Sequence, residues 1–235
     1  MERNTLYPVF LKLSKLNVLI VGGGFVAEEK LHFLLKSSPD ANVKMVATFF
    51  RDGTTELADA NSVVRSEKHY DSNDLSGVQL VVVATDNESL NIDIYHQCKE
   101  RNILVNVADN PPYCDFYMGG IVTKGNVKIA ISTNGKSPTT AKRLRQFFEE
   151  VIPEKVDEMV INLDAYRKTL KGDFEQKMEK LNELTKGLIG KDSWTTQSFE
   201  YSGLAGENTS VILQSVSAFP EWTALAGTVA ISPGP

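Results

Sequence analysis

The feature that most constrains this chain is a run of three glycines directly after an apolar stretch. Residues 15–21 read Lys-Leu-Asn-Val-Leu-Ile-Val and end on Gly22-Gly23-Gly24, which is followed by Phe25-Val26-Ala27. A near-continuous apolar run of that length reads as a strand buried on both faces of a parallel sheet. Helical character over residues 26–36 completes a strand–turn–helix unit, and the turn fits G-x-G-x-x-A, a pattern that is weak alone and informative in this context. Gly22 serves the tight turn, Gly24 lets backbone N–H groups approach a pyrophosphate, and Ala27 keeps the helix close to the strand. The helix N-terminus adds positive potential. Gly22, Gly23, Gly24, Phe25, Val26 and Ala27 are therefore the first candidate cofactor-binding residues. The plainer alternative is a tight connection with no ligand.

Further apolar runs at residues 43–47, 78–84 and 103–108, with helical character at 90–101, repeat the strand–helix alternation. That alternation predicts βαβ units and a Rossmann-like parallel sheet over residues 1–112. The pattern then changes. Residues 121–123 and 127–131 read as two short strands around Lys124-Gly125-Asn126, a hairpin-like turn. Residues 139–151 and 155–186 read as helices, the second with apolar residues on one face and a break at Gly172-Asp173, after which a helix runs over 174–188. The expected organisation is a Rossmann domain (1–112), a small α+β dimerisation segment (113–152), a helical part (153–190) and a tail (191–235) rich in Ser, Thr and Gly, to which no role is assigned.

Thirty acids against twenty-five bases give a formal charge of −5, which argues against a general nucleic-acid binder. Cys98 and Cys114 lack CxxC spacing and suggest neither a disulfide framework nor a zinc site. His32, His69 and His96 are scattered, so no metal ligands are predicted. The N-terminus lacks the apolar core of a signal peptide and no run approaches 18 apolar residues, so a cytoplasmic chain without a membrane segment is expected.

Five stretches in order resemble one family: Tyr7-Pro8-Val9-Phe10-Leu11-Lys12-Leu13; the glycine turn with Val26-Ala27 and Lys30; Ala84-Thr85-Asp86 with Asn91; Asn106-Val107-Ala108-Asp109 with Cys114-Asp115-Phe116; and residues 131–138, Ile-Ser-Thr-Asn-Gly-Lys-Ser-Pro. Together they are similar to the precorrin-2 dehydrogenases, some of which are also sirohydrochlorin ferrochelatases and which form the N-terminal module of siroheme synthases. The resemblance covers roughly residues 5–190. It implies NAD-dependent oxidation of precorrin-2 to sirohydrochlorin on the route to siroheme, with iron insertion as a second activity in some members. It also implies a homodimer and a helical part that helps to form the cleft for the tetrapyrrole.

The same resemblance implies that Asp109 is the general base, since a dehydrogenation needs a group that takes or directs a proton. The competing role is a cap for the turn into Asn110-Pro111-Pro112. Asp115 could divide acid and base work with it or cap the turn after Cys114. Thr85 and Asp86 match a second cofactor contact, against the alternative that Asp86-Asn87 caps the following helix. The usual ribose-binding acid after the second strand is not clear: Asp52 stands far on, and Arg51 could accept a 2′-phosphate, so the residues leave NAD and NADP open. For a polycarboxylate substrate, Thr133, Asn134, Gly135 and Ser137 lead into a helix bearing Lys142, Arg143 and Arg145, a plausible carboxylate site. The alternatives to this enzyme are a dinucleotide-sensing module without catalysis and an NADP-linked reductase of another small molecule.

Overall fold

The computed structural model describes residues 4–185 and the backbone of two later strands. Five parallel strands, β1 (Asn17–Val21), β2 (Asn42–Ala47), β3 (Val64–Glu67), β4 (Leu80–Val83) and β5 (Leu104–Val107), form one sheet in the order β3-β2-β1-β4-β5. Helices α1 (Phe25–Ser37), α2 (Asp52–Ala60) and α3 (Glu88–Glu100) make the crossovers. This is the doubly wound arrangement expected from the alternation of runs, with the strand order reversing between β1 and β4.

The pleat sorts the core. Val18 and Ile20 pack on one face with Ala27, Leu31 and Leu35 of α1 and Ala58 of α2. Leu19 and Val21 pack on the other with Ile94 and Cys98 of α3. Successive side chains of a strand point to opposite faces, so a run that is apolar at every position belongs between two helical layers. Burial pushes the Cys98 thiol up to about 11 from 9.0. It is therefore protonated in both folded and unfolded chains below about pH 9; between that pH and 11 the unfolded chain ionises first, and stability falls. Cys98→Ala is expected to flatten the decline in melting temperature between pH 9 and 11; an unchanged slope would rule Cys98 out as its source.

β2 to β3 runs through α2, and neither α2 nor β3 is evident from the sequence. β3 reads Val-Arg-Ser-Glu, with no apolar alternation, because it is the outer strand of the sheet. Past the sheet, β6 (Gly120–Lys124) and β7 (Val127–Ile131) form the expected two-stranded sheet around Gly125 and Asn126. Asp157 accepts from the Asn126 backbone N–H at 2.6 Å and from its side-chain amide at 2.7 Å, which fixes this turn on α5. Helices α4 (Pro138–Val151), α5 (Val156–Thr169) and α6 (Phe174–Thr185) follow. The break between the last two falls at Gly172, whose φ of +118° excludes helix continuation.

The chain divides into two compact units, Met1–Gly120 with Ser132–Pro138, and Ile121–Ile131 with Thr139–Pro235. In the tail, β8 (Gln197–Ser202) and β9 (Asn208–Leu213) pair antiparallel. The rest of residues 191–235 and the expected helical residues up to 188 lie outside the described residues. Among the described residues no helix is long and apolar enough to cross a membrane.

Candidate cofactor and active site

The register brings the strand ends level. Val46, Val21, Val83 and Val107 stand in one lateral row, so the segments that leave β2, β1, β4 and β5 all emerge at the same carboxyl edge. Ligands of open α/β sheets bind at this edge, at the point where the strand order reverses. With strands about 4.8 Å apart, residues following β5 lie about 10 Å from those following β1.

The three glycines do different things there. Gly22 has φ +132°, and a Cβ on it would overlap the Ala84 carbonyl oxygen at the end of β4. A Cβ on Gly23 would overlap the Phe49 carbonyl oxygen and stand 2.9 Å from the Phe50 ring. Both glycines are thus required by the protein's own packing. Gly24 is not: a Cβ there would meet nothing within 4 Å. It is the N-cap of α1, and no side chain caps that end. The first-turn N–H groups, including those of Phe25 and Val26, therefore face outward without intrahelical partners. Ala27 is fully buried beneath the turn. An open cradle of N–H groups at the one glycine that packing does not explain fits a pyrophosphate.

A clasp that sequence reasoning missed holds this turn. Thr54, fully buried in α2, donates from Oγ1 to the Gly23 carbonyl at 3.0 Å, and the Arg51 N–H donates to the same oxygen at 3.0 Å. The only sequence signal for it is that Thr54 follows the glycine turn by one βα unit, which no periodicity marks.

After β4, the Thr85 hydroxyl donates to Asn91 Oδ1 at 2.5 Å and the Asn91 amide donates to the Thr85 carbonyl at 3.0 Å. This reciprocal pair with a buried asparagine fixes the loop. Asn87, not Asp86, caps α3, accepting from the Leu90 N–H at 3.1 Å. Asp86 is exposed and makes no hydrogen bond or ion pair among the described residues.

Asp109 follows β5 at the same edge. Its φ is +57°, an uncommon conformation for a residue with a side chain, although Asp and Asn tolerate it better than most. Its carboxylate is exposed and makes no hydrogen bond or ion pair among the described residues. The turn that it would cap in the competing role closes without it: Asn110 N–H donates to the Val107 carbonyl and Tyr113 N–H to that of Asn110. Strained backbone of this kind concentrates at functional sites.

Asp115 is different in kind. It accepts from Lys99 at 2.6 Å and from the Val105 N–H at 3.1 Å, and its own N–H donates to the Val105 carbonyl at 2.8 Å. It ties residues 114–116 to β5. Asp115→Asn is expected to lower stability by about 1–2 kcal/mol in chemical denaturation, through the weakened bond to the buried Val105 N–H, while leaving catalysis within a few-fold of wild type. Loss of turnover without loss of stability would put Asp115 in the chemistry instead. Cys114 donates to the Val107 carbonyl and its pKa is raised, chiefly by burial, so it packs as a thiol rather than acting as a thiolate.

The loop 132–138 belongs to the unit that holds the parallel sheet. Thr133 Oγ1 donates to the Ser137 carbonyl at 3.1 Å and accepts from the Ser137 N–H at 3.3 Å, so its hydroxyl is engaged in closing the loop. Asn134 and Gly135 both have positive φ, and a Cβ on Gly135 would meet nothing within 4 Å. In α4, Arg145 pairs with Glu149 and Arg143 donates to Gln146. Among the described residues no group of three or more His, Cys, Asp or Glu is placed to hold a metal.

A family model described as NAD(P)-binding matches residues 9–120, and one described as sirohaem biosynthesis protein central matches residues 124–150. The siroheme synthase of Pseudoalteromonas atlantica is 44% identical over 168 residues, covering 72% of this chain and 36% of that protein. That of Pseudoalteromonas translucida is 36% identical over 168 residues, covering 72% and 35%. The chain thus spans about a third of the length of the curated relatives it matches. A solved structure named SirC, precorrin-2 dehydrogenase, superposes with a TM-score of 0.64 at 25% identity, covering 80% of this chain and 91% of that one. An NAD(P)-binding match followed by a sirohaem central match places the chain in the sirohaem biosynthesis family, similar over most of its length to siroheme synthases and to SirC.

Proposed function

We propose that this protein oxidises precorrin-2 to sirohydrochlorin with NAD, in the cytoplasm, as a step towards siroheme. The observation that carries the reading is the level carboxyl edge, which supports an open cradle at Gly24 and, two strand spacings away, an Asp109 carboxylate unpaired among the described residues. When bound, the nicotinamide supplies the acceptor for the two electrons that leave the reduced ring. Gly22 and Gly23 shape the turn, and the N–H groups of Gly24, Phe25 and Val26 receive the phosphates. Thr85, held by Asn91, and Asp86, unpaired among the described residues, serve the ribose from the β4 side. Asp109 takes the proton that leaves with the electrons; as an exposed carboxylate with no partner among the described residues it can do so without breaking a bond within the described fold.

The substrate's acid groups are read onto the loop at Thr133, Asn134, Gly135 and Ser137, through backbone N–H groups more than through the engaged Thr133 hydroxyl. Residues 113–152 serve dimerisation in this reading. Incubation of the purified chain with precorrin-2 and NAD under anaerobic conditions tests the whole: reduced nicotinamide and sirohydrochlorin should appear in equal amounts. A chain that binds the dinucleotide but leaves precorrin-2 unchanged is a sensing module instead. Iron insertion is tested separately, by adding Fe²⁺ or Co²⁺ to sirohydrochlorin and protein without NAD and following the metallated chromophore.

A further inference from the structure

We infer that Arg51 gives the cofactor site a seat for a 2′-phosphate, so that this chain binds NADP as well as NAD. The inference rests on the dinucleotide reading above and adds to it a specificity-determining residue. In doubly wound folds the end of the second strand faces the adenosine ribose: a carboxylate there accepts the 2′-hydroxyl and repels a phosphate, and an arginine does the reverse. Here the connection from β2 to α2 reads Thr48-Phe49-Phe50-Arg51-Asp52. Its one acid, Asp52, is the first residue of α2, where the helix dipole already favours it. The residue that the fold carries back to the glycine turn is Arg51.

Three contacts place it. Its N–H donates to the Gly23 carbonyl at 3.0 Å, so its backbone is part of the clasp beneath the cradle. Its guanidinium lies over the Phe25 ring, 5.5 Å from the centroid, and Phe25 is the residue immediately after Gly24. Among the described residues its one ionic neighbour is Glu28, at 3.9 Å, a long contact, and both side chains are partly exposed. A guanidinium over a ring face spends none of its five N–H donors there, and their fork geometry suits a phosphate. Glu28 also stands 3.5 Å from the Thr54 hydroxyl, whose one proton is shared with the nearer Gly23 carbonyl. The site thus holds a cation over Phe25, with one long ionic contact among the described residues, where an NAD-restricted site would present an acid.

Calorimetric titration of the full chain with NAD⁺, NADP⁺ and adenosine 2′,5′-bisphosphate tests this. Wild type should bind NADP⁺ within about tenfold of NAD⁺, and Arg51→Gln should weaken NADP⁺ and the bisphosphate by about tenfold or more while changing NAD⁺ by less than about threefold. Arg51→Lys should fall between them, because an ammonium lacks the fork; with wild type, it carries the test should the Gln variant not fold. NADP⁺ binding more than about tenfold weaker than NAD⁺ in wild type, or equal losses for both nucleotides in the variants, overturns the inference and leaves Arg51 as packing for the turn. Failure of wild type to bind either nucleotide would instead remove the dinucleotide reading on which it stands.

Discussion

Asp109→Asn is expected to lower precorrin-2 oxidation by about 10²–10⁴-fold, the range that a positioned general base contributes. Asparagine is the informative replacement because it tolerates the left-handed conformation at φ +57° as aspartate does, so the backbone after β5 keeps its course. The native carboxylate forms no bond within the described fold, so no internal contact is lost, and melting temperature and NAD affinity should match wild type. The measurement is single-turnover formation of reduced nicotinamide beside a binding titration of the same sample. Full turnover in Asp109→Asn would remove the carboxylate from the mechanism and return it to a conformational role in the turn.

The second large effect separates two glycines that a sequence pattern treats alike. Gly22→Ala is expected to destabilise the fold by about 2–5 kcal/mol, since it adds a Cβ against the Ala84 carbonyl and forces an alanine into φ +132°. Gly24→Ala should cost about 1 kcal/mol or less, the difference between glycine and alanine at an N-cap with open space around it. Its effect should appear in binding, where a methyl group in the cradle weakens NAD by about tenfold or more, or about 1.4 kcal/mol. Denaturant unfolding and calorimetry on the two variants give a crossed pattern: stability lost in one, affinity in the other. Unchanged affinity in Gly24→Ala would mean that the phosphates are not seated over that residue.

These two sites also show what could be read before the structure was known. β1 and β4 were legible because a strand covered on both faces must be apolar at every position, as Val81, Val82 and Val83 are, and β5 because Asn106 alone interrupts its apolar run. The break at Gly172 was legible because glycine alone takes that backbone angle easily. β3 and α2 were not: Val64-Arg65-Ser66-Glu67 lies at the sheet edge, and α2 buries only Thr54 and Ala58, so neither carries a hydrophobic period. The clasp on Gly23 was hidden for the same reason, since its key side chain is a buried threonine whose value lies in one hydrogen bond to a distant carbonyl. Asp109 could be placed after β5 by sequence, but its freedom from the turn could not, because whether a carboxylate caps a turn depends on backbone angles that composition does not set.

The strap over β5 has a consequence for how copies of this unit can meet. An open sheet edge is a row of unpaired N–H and C=O groups that recruits other strands, and it is where aggregation begins. Here Val105 offers neither group, because Asp115 occupies both, and Asn106 meets Cys114 in an antiparallel bridge and donates to the Phe116 carbonyl at 2.8 Å. At the far edge β3 is four residues long and carries Arg65 and Glu67. Backbone addition is thereby discouraged at both ends of the sheet, and association of this unit with another copy is left to side-chain surfaces, whose pairing can be specific where strand addition is indiscriminate.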